Sequence, residues 1–101
     1  MNSREREFLR KKAHELDPIV RVGKDGYTDN LGQSILDAID SRELIKVKML
    51  QSVEIDKREL ASIIEEKTGC EVVGVIGKTI ILYKENKENP KVSLELKESL
   101  R

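Results

Sequence analysis

The stretch Ile19-Val-Arg-Val-Gly-Lys-Asp-Gly-Tyr-Thr28 decides the fold, because it joins a short apolar strand to a helix through two glycines. The strand is predicted over residues 18–22, and the proline at its start ends any helix before it. Gly23 and Gly26 let the backbone turn tightly. Thr28, or the aspartate after it, can then cap a helix. The stretch therefore predicts a strand, a tight loop and a helix in that order.

The loop Gly23-Lys24-Asp25-Gly26 has the GxxG pattern, which can serve as an anion site. The amides that lead into the following helix point at the space above the loop, and a helix N-terminus favours negative charge there. GxxG loops clamp the nucleic-acid backbone in KH domains, and Lys24 adds a mobile positive charge. The alternative is a plain turn without a ligand, since most loop glycines only mark turns.

Composition restricts the class of protein. A chain of 101 residues forms one domain with one core. Basic and acidic residues both number 19, so the net charge is zero and any argument for nucleic acid must depend on where the charges lie. Aromatic residues make up 3% and there is no Trp, which argues against a surface that stacks many bases. If RNA is bound, recognition of folded shape more than of base sequence is expected.

The sequence predicts neither a membrane segment nor a cofactor. Cys70 stands alone, so it cannot form an internal disulfide or build a zinc site, and it is expected to pack as a small hydrophobe. Residues 1–12 carry charges without an apolar run behind them and do not form a signal peptide. No segment approaches the ~20 apolar residues of a membrane span. A cytoplasmic protein without a metal is therefore expected.

No arrangement of residues predicts catalysis. His14 is the only histidine, and its neighbours are of helix-surface types, so no nucleophile–base pair can be argued from it. Gly77-Lys78-Thr79 is similar to the end of a P-loop, but that pattern needs a glycine five positions before Gly77, where Val72 stands. We therefore expect no enzymatic activity and no small-molecule substrate.

The periodicity of apolar residues predicts the element order α-β-α-β-α-β-β. The helices are expected near residues 2–15, 28–41 and 56–67, and the strands near residues 18–22, 44–50, 70–76 and 79–84. This order indicates an α/β fold, a mixed four-stranded sheet packed with three helices, with a closing antiparallel hairpin and parallel pairing within adjacent β-α-β units. The domain is expected over residues 1–84. Residues 85–101 form a polar C-terminal tail, in which the alternating residues 91–96 could extend as an edge strand.

Three runs in a fixed order resemble a known family. Residues 19–28 are followed by the second helix and by Glu43-Leu-Ile-Lys-Val-Lys48, and later by Val75-Ile-Gly-Lys-Thr-Ile-Ile-Leu-Tyr-Lys84. Over about residues 4–84 this combination resembles the YhbY-like CRM domain, named for chloroplast RNA splicing and ribosome maturation. Tyr27 departs from the family pattern, where Leu is more usual, so the packing of the loop is left open.

The resemblance implies a fold and a function. The fold is similar to the C-terminal domain of translation initiation factor three, and RNA binds through the GxxG loop and the neighbouring basic surface. Bacterial members with one domain associate with precursors of the large ribosomal subunit, whereas plant organellar members carry several copies and act in intron splicing. The chain holds one copy and so resembles the bacterial form. The expected partners are ribosomal RNA and pre-large-subunit particles, bound by a monomer.

The candidate RNA-binding residues lie in the loop, the first helix and the strands. They are Gly23, Lys24, Asp25, Gly26, Tyr27, Thr28, Arg6, Arg10, Lys11, Lys12, Arg21, Lys46, Lys48 and Lys78. Acidic residues concentrate in or near the second and third helices, so a neutral chain can still present a positive patch. The alternative is that the first-helix cations and the strand lysines form ordinary solvated faces. A rival function is a protein–protein adaptor that docks through the exposed sheet face.

Overall fold

Four helices and four strands make up the structure, a computed structural model that describes residues 1–100. In chain order they are α1 (Ser3–Ala13), β1 (Val20–Val22), α2 (Asp29–Arg42), β2 (Leu44–Met49), α3 (Lys57–Thr68), β3 (Glu71–Ile76), β4 (Thr79–Tyr83) and α4 (Val92–Ser99). The predicted α/β class and the order of the first seven elements are confirmed, and a fourth helix is added. Within residues 1–100, no helix is long and apolar enough to cross a membrane.

Side-chain caps fix where the helices begin. The Asn2 side chain accepts from the Glu5 N–H at 2.9 Å, and the Glu5 carboxylate accepts from the Asn2 N–H at 2.9 Å, which completes the capping box at the start of α1. Thr28 Oγ1 accepts from the Leu31 N–H at 3.1 Å at the start of α2. The Asp56 carboxylate accepts from two amides in the first turn of α3. Each cap satisfies a donor that helical bonding leaves free.

The sheet has the strand order β1-β2-β4-β3. β1 pairs with β2 in parallel, as predicted for a β-α-β unit, and β3 and β4 form the predicted antiparallel hairpin. β4 also pairs antiparallel with β2, so it lies between β2 and β3. The ends of β1 and β2 therefore meet the β3–β4 turn at one end of the sheet, which we name the loop end.

Helices cover both faces of the sheet and enclose two clusters of buried residues. α2 and α3 pack over one face, in a cluster built around Ile35, Leu60, Ile64, Val47, Ile80 and Leu82. Cys70 belongs to this cluster and is 1% exposed, which confirms its predicted packing as a small hydrophobe. α1 and α4 pack over the other face, in a smaller cluster formed by Leu9, Ala13, Leu44, Val73, Ile81, Tyr83 and Leu96.

The C-terminal segment differs from the predicted polar tail and from the predicted edge strand. Residues 92–99 are helical, and Leu96 is buried against α1 and the sheet; residue 101 of the predicted tail lies outside the described residues. Val92, Leu94 and Leu96 alternate, which suggested a strand, but Val92, Leu96 and Leu100 also recur every four residues. This second spacing places one apolar stripe on the core, and Leu94 remains exposed.

Glu43 attaches this segment to the domain. Its side chain is fully buried between α2 and β2, and its carboxylate accepts hydrogen bonds from the N–H groups of Asn86 (2.7 Å), Lys91 (2.7 Å) and Ser93 (2.9 Å) and from the Ser93 hydroxyl (2.8 Å). Burial acts to raise the pKa of Glu43, but the hydrogen bonds from Ser93, Asn86 and Lys91 lower it below its ordinary value overall. The carboxylate therefore stays ionised and joins the C-terminal segment to the core.

Candidate nucleic-acid interface

The GxxG loop is a tight β-turn. The Gly26 N–H donates to the Gly23 carbonyl at 3.1 Å, which closes the four residues into one turn. Lys24 and Asp25 occupy its two central positions and are exposed. Gly26 has φ +64°, a left-handed conformation that a residue with a side chain rarely adopts. The geometry of the turn therefore favours glycine at position 26.

Gly23 is different, because the fold does not require glycine there. A Cβ added at Gly23 would meet no other atom within 4 Å, and its φ is not positive. Neither the backbone conformation nor the packing thus explains the missing side chain. The surface above Gly23 is open, which leaves room for close approach of another chain to the backbone.

Tyr27 fixes the turn to α2. Its ring is half-buried and packs against the larger cluster. A Cβ added at Gly32 would overlap the Tyr27 hydroxyl and lie 3.0 Å from Cζ of the ring. Glycine inside a helix costs about 1 kcal/mol relative to alanine, so Gly32 makes space for this ring at a cost in helix stability. Tyr27, the departure from the family pattern, therefore has a packing role beside the turn.

The start of α2 is partly used by its own cap. Thr28 Oγ1 accepts from the Leu31 N–H, and the Gly32 N–H donates to the Thr28 carbonyl at 3.0 Å. Among the first three residues of α2, the N–H groups of Asp29 and Asn30 are those that this cap does not use. The Asp29 carboxylate lies in the same turn, and its negative charge already interacts favourably with the positive end of the helix dipole. The amides at this terminus therefore offer a weaker anion site than the sequence pattern suggested.

A groove of about 410 Å³ adjoins the turn. It runs between β1, an edge strand of the sheet, and the first two turns of α2. Its lining is formed by residues 19–26 together with Thr28, Asn30, Leu31 and Ser34. All four residues of the GxxG turn line this groove, so the turn and the groove form one continuous surface.

Four cations gather at the loop end. Arg21 and Lys48 are neighbours across β1 and β2 and are both exposed, on the sheet face opposite Val20 and Val22. Lys24 lies in the GxxG turn, and Lys78 lies in the exposed β3–β4 turn. The Met49 N–H donates to the Lys78 carbonyl at 2.7 Å, which holds the β3–β4 turn beside the end of β2. We name Arg21, Lys24, Lys48 and Lys78 the loop-end cations.

Arg6 does not lie with these cations. Its guanidinium donates to the Val72 carbonyl at 2.9 Å and to the Val73 carbonyl at 3.0 Å. The pairing of β3 with β4 shifts register between Val72 and Gly74. Arg6 therefore satisfies carbonyl groups at a strand irregularity, which gives it a structural role in place of the predicted exposed position.

The other cations of α1 lie among carboxylates. Lys12 Nζ is 3.1 Å from Glu95 of α4 and 3.9 Å from Glu15, while Lys11 pairs with Glu7 at 3.6 Å on an exposed surface. Arg10 is exposed, and its aliphatic stem passes over Gly74. The positive charge of α1 is thus partly compensated within the protein, most clearly at Lys12.

Lys46 also has an internal partner. Its side chain is half-buried, and its Nζ donates to the Leu16 carbonyl at 2.9 Å. This bond ties the segment between α1 and β1 to the middle of the sheet. Lys46 and Lys48 therefore separate in role, although they alternate on one strand face as predicted, because only Lys48 is exposed.

Comparisons with known proteins identify the family. The chain matches the family model described as the CRS1 / YhbY (CRM) domain over residues 1–84. The chain belongs to the CRM domain family. It is similar to "Probable RNA-binding protein YqeI" of Bacillus subtilis (strain 168), with 45% identity over 94 residues that cover 93% of this chain and 98% of that protein. It is also similar to an "RNA-binding protein" of Haemophilus influenzae, with 31% identity over 87% of this chain and 89% of that protein.

A solved structure confirms the predicted fold class. The solution structure of the Staphylococcus aureus protein SAV1595 matches with a TM-score of 0.73 and 43% sequence identity, over 88% of this chain and 96% of that chain. The family match ends at residue 84, whereas α4 of this CRM domain packs on α1 and contributes Leu96 to the smaller cluster. The segment after residue 84 thus packs on the domain through α4, while the family match itself covers residues 1–84.

Burial shifts the pKa of two further titratable side chains of this CRM domain. Burial raises the pKa of Tyr83 to about 12, with a contribution from the Glu43 carboxylate. Burial also raises the pKa of the Cys70 thiol. Both groups are neutral at physiological pH. Within residues 1–100, no group of three or more His, Cys, Asp and Glu side chains could hold a metal ion.

Sequence reasoning missed two residues that line the groove. Asn30 and Ser34 lie on α2, four residues apart, and both line the groove beside β1. A polar pair at i and i+4 directly after a GxxG loop is a signal that could have found them. A polar residue on a helix is ordinarily part of a solvated face, so neither residue stands out in the sequence.

Proposed function

We propose that this protein binds RNA through the GxxG turn and the loop-end cations. One observation carries the proposal: four cations from four separate segments lie at the loop end, the same end of the sheet as a turn whose first residue, Gly23, has no side chain although the fold would accept one. A phosphate backbone needs close approach to main-chain atoms and several positive charges within reach. The relatives that carry the name RNA-binding protein support this function.

The mechanism is recognition of the phosphate backbone. The RNA backbone approaches Gly23, where no Cβ blocks it, and Lys24 contacts a phosphate from the corner of the turn. Arg21, Lys48 and Lys78 contact further phosphates along the open end of the sheet. Contacts of this kind position the RNA without reading its sequence. The protein acts as a monomer, without a cofactor and without catalysing a reaction.

The RNA partner in this proposal is ribosomal RNA in precursors of the large ribosomal subunit, and the role is assistance in assembly in the cytoplasm. The resemblance to bacterial members with a single CRM domain supports this assignment. Crosslinking the protein to RNA in cells and sequencing the attached fragments tests it. Recovery of large-subunit precursor sequences is the expected result, and recovery of messenger RNA alone would contradict it.

Gly23→Asp tests RNA binding at the turn. The added carboxylate occupies the space where a phosphate approaches, while the open surroundings of Gly23 leave the fold intact. We expect affinity for large-subunit ribosomal RNA to fall about tenfold, the loss of roughly one charged contact. Ser62→Asp adds the same charge on the exposed face of α3 and is the matched control. Equal affinity for Gly23→Asp and the wild-type protein would refute the proposal.

A protein–protein adaptor is the second candidate function. It is favoured by two exposed apolar side chains that flank the cations on the sheet, Ile19 at 42% and Ile76 at 49% exposure. A docking face with a large apolar share binds with little salt dependence, whereas binding to phosphate weakens steeply as salt is added. Titration of a copurifying partner at several salt concentrations separates the two functions.

A further inference from the structure

The groove beside the GxxG turn is large enough to hold a ligand. Its volume, about 410 Å³, falls within the range of ~300–1,000 Å³ that small-molecule sites occupy. One wall is β1, which pairs with β2 on one side only, so its other edge carries backbone N–H and C=O groups that the sheet does not use. The opposite wall is α2, through Asn30 and Ser34.

The chemistry of these walls suits the edges of nucleobases. The Asn30 side chain provides an amide donor and a carbonyl acceptor, and Ser34 provides a hydroxyl. The backbone groups of β1 add further donors and acceptors across the groove. Val20 of β1 and Leu31 of α2 also belong to the walls, but they are nearly buried at 7% and 8% exposure, so the surface that the groove offers is mostly polar. The edges of a nucleobase carry hydrogen-bond donors and acceptors of the same kinds, so they match the polar groups of the two walls.

The position of the groove decides which kind of RNA can use it. The GxxG turn lines one end of the groove, so a strand whose phosphate lies at Gly23 directs its neighbouring bases along β1. Bases of a duplex are paired and stacked and cannot turn into such a groove, whereas bases of a single strand can be splayed out and read on their Watson–Crick edges. The low aromatic content is compatible with this, because the recognition uses hydrogen bonds and not stacking.

We propose that the groove between β1 and α2 binds unpaired bases, so that the RNA recognised by this protein is a single-stranded segment. The inference rests on the proposed function, since it assumes that the phosphates of that segment lie on the GxxG turn. It changes the expectation drawn from composition, which favoured folded shape over base sequence. Asn30 and Ser34 become specificity-determining residues, which contact bases, while Lys24 contacts the backbone.

Groove-filling variants test the proposal with defined probes. The probes are short homopolymeric RNA strands and a short RNA duplex, titrated at one salt concentration. We expect the wild-type protein to bind at least one single strand about tenfold more tightly than the duplex. Ser34→Phe fills the groove from an exposed position on α2 and should remove this preference while leaving duplex affinity unchanged. Ser41→Phe, at the exposed C-terminal end of α2, is the matched control.

Asn30→Ala provides a second variant that adds no bulk. It should change the order of affinities among the homopolymers. The melting temperature should stay nearly unchanged, because Asn30 is exposed on α2. Equal affinity of the wild-type protein for strand and duplex would overturn the proposal, and so would an unchanged preference in Ser34→Phe. Gly23→Asp distinguishes RNA binding at the GxxG turn from base binding in the groove. If Gly23→Asp weakens binding while Ser34→Phe does not, only the groove assignment fails. If neither variant weakens binding, the proposed function fails as well.

Discussion

The carboxylate of Glu43 holds Ser93 by two hydrogen bonds, one from its backbone N–H at 2.9 Å and one from its hydroxyl at 2.8 Å. The contact spans 50 residues and joins the α2–β2 junction to the first turn of α4. Glu43 also has φ +66°, a left-handed conformation that costs a residue with a side chain about 1 kcal/mol or more. This conformation directs the carboxylate toward the N-terminus of α4, where a negative charge is favoured. The hydrogen bonds that the carboxylate accepts there offset the backbone strain.

Replacing the carboxylate of Glu43 should therefore destabilise the domain. In Glu43→Gln the side chain gains an NH₂ group that faces the N–H donors of residues 86–93, so one or more of them lose their acceptor. We expect the free energy of unfolding to fall by about 2 kcal/mol, which lowers the melting temperature by ~10 °C for a domain of this size. Thermal melts measure this, with Glu66→Gln on the exposed surface of α3 as the matched control. Equal melting temperatures for Glu43→Gln and wild type would contradict this role.

The same contact predicts a pH dependence. The pKa of Glu43 is lower in the folded protein than its ordinary value. The stability that it contributes is therefore fully present above the unfolded-state pKa of about 4.3 and is lost as the pH falls through the lower folded-state pKa. Denaturant unfolding of wild type and Glu43→Gln should differ at neutral pH, and this difference should shrink below about pH 4. A constant difference across that range would show that the charge of Glu43 is not its source.

The sequence predicted what local rules decide. Caps and apolar stripes located the helices, and the glycines at 23 and 26 located the turn, because each depends on neighbours a few residues away. Glu43 was missed because its partners lie more than 40 residues later, and between Arg42 and Leu44 it has the pattern of a helix-surface residue. The segment 92–99 was misread as a strand because its apolar residues satisfy periods of two and four at once.

The candidate site was predicted only in part, because the arrangement of its cations also depends on contacts between distant segments. The convergence of Arg21, Lys48 and Lys78 follows from strand register, which charge counting along the chain cannot supply. Arg6 and Lys46 have the sequence pattern of exposed cations, but each finds carbonyl oxygens of a distant segment. Long side chains reach several ångströms beyond their own element, so their final partners depend on tertiary packing. The sequence shows which residues are charged, but only the packed structure shows which of these charges have no partner within the protein.

Gly32→Ala should lower stability, against the usual effect of this substitution in a helix. Alanine normally gains about 1 kcal/mol over glycine there, but its Cβ would overlap the Tyr27 hydroxyl. The ring must then leave its position, and the GxxG turn loses its contact with α2. Tyr27→Leu removes the overlapping atoms, so the double variant should recover the gain. Thermal melts of the two single variants and the double variant measure this coupling, and additive effects would contradict the contact.

The salt dependence of RNA affinity should distinguish the loop-end cations from those of α1. Each phosphate contact on a single strand contributes ~0.7 to the slope of log affinity against log salt. Arg21→Gln with Lys48→Gln should therefore flatten the slope by about 1.4, because both side chains are exposed and adjacent. Lys11→Gln with Lys12→Gln should flatten it less, since ion pairs with Glu7, Glu15 and Glu95 already compensate these charges.

A control pair for these slopes must lie away from the loop end. Lys57 is unsuitable although it belongs to α3, because its Nζ lies 3.3 Å from the Gly77 carbonyl in the β3–β4 turn. Lys67 and Lys87 are exposed near the opposite end of the sheet, so Lys67→Gln with Lys87→Gln removes the same charge without touching the proposed interface. Titrations at several salt concentrations should give this pair the wild-type slope. A flattened slope for the control pair, with no change for Arg21→Gln and Lys48→Gln, would place the RNA on the opposite end of the domain.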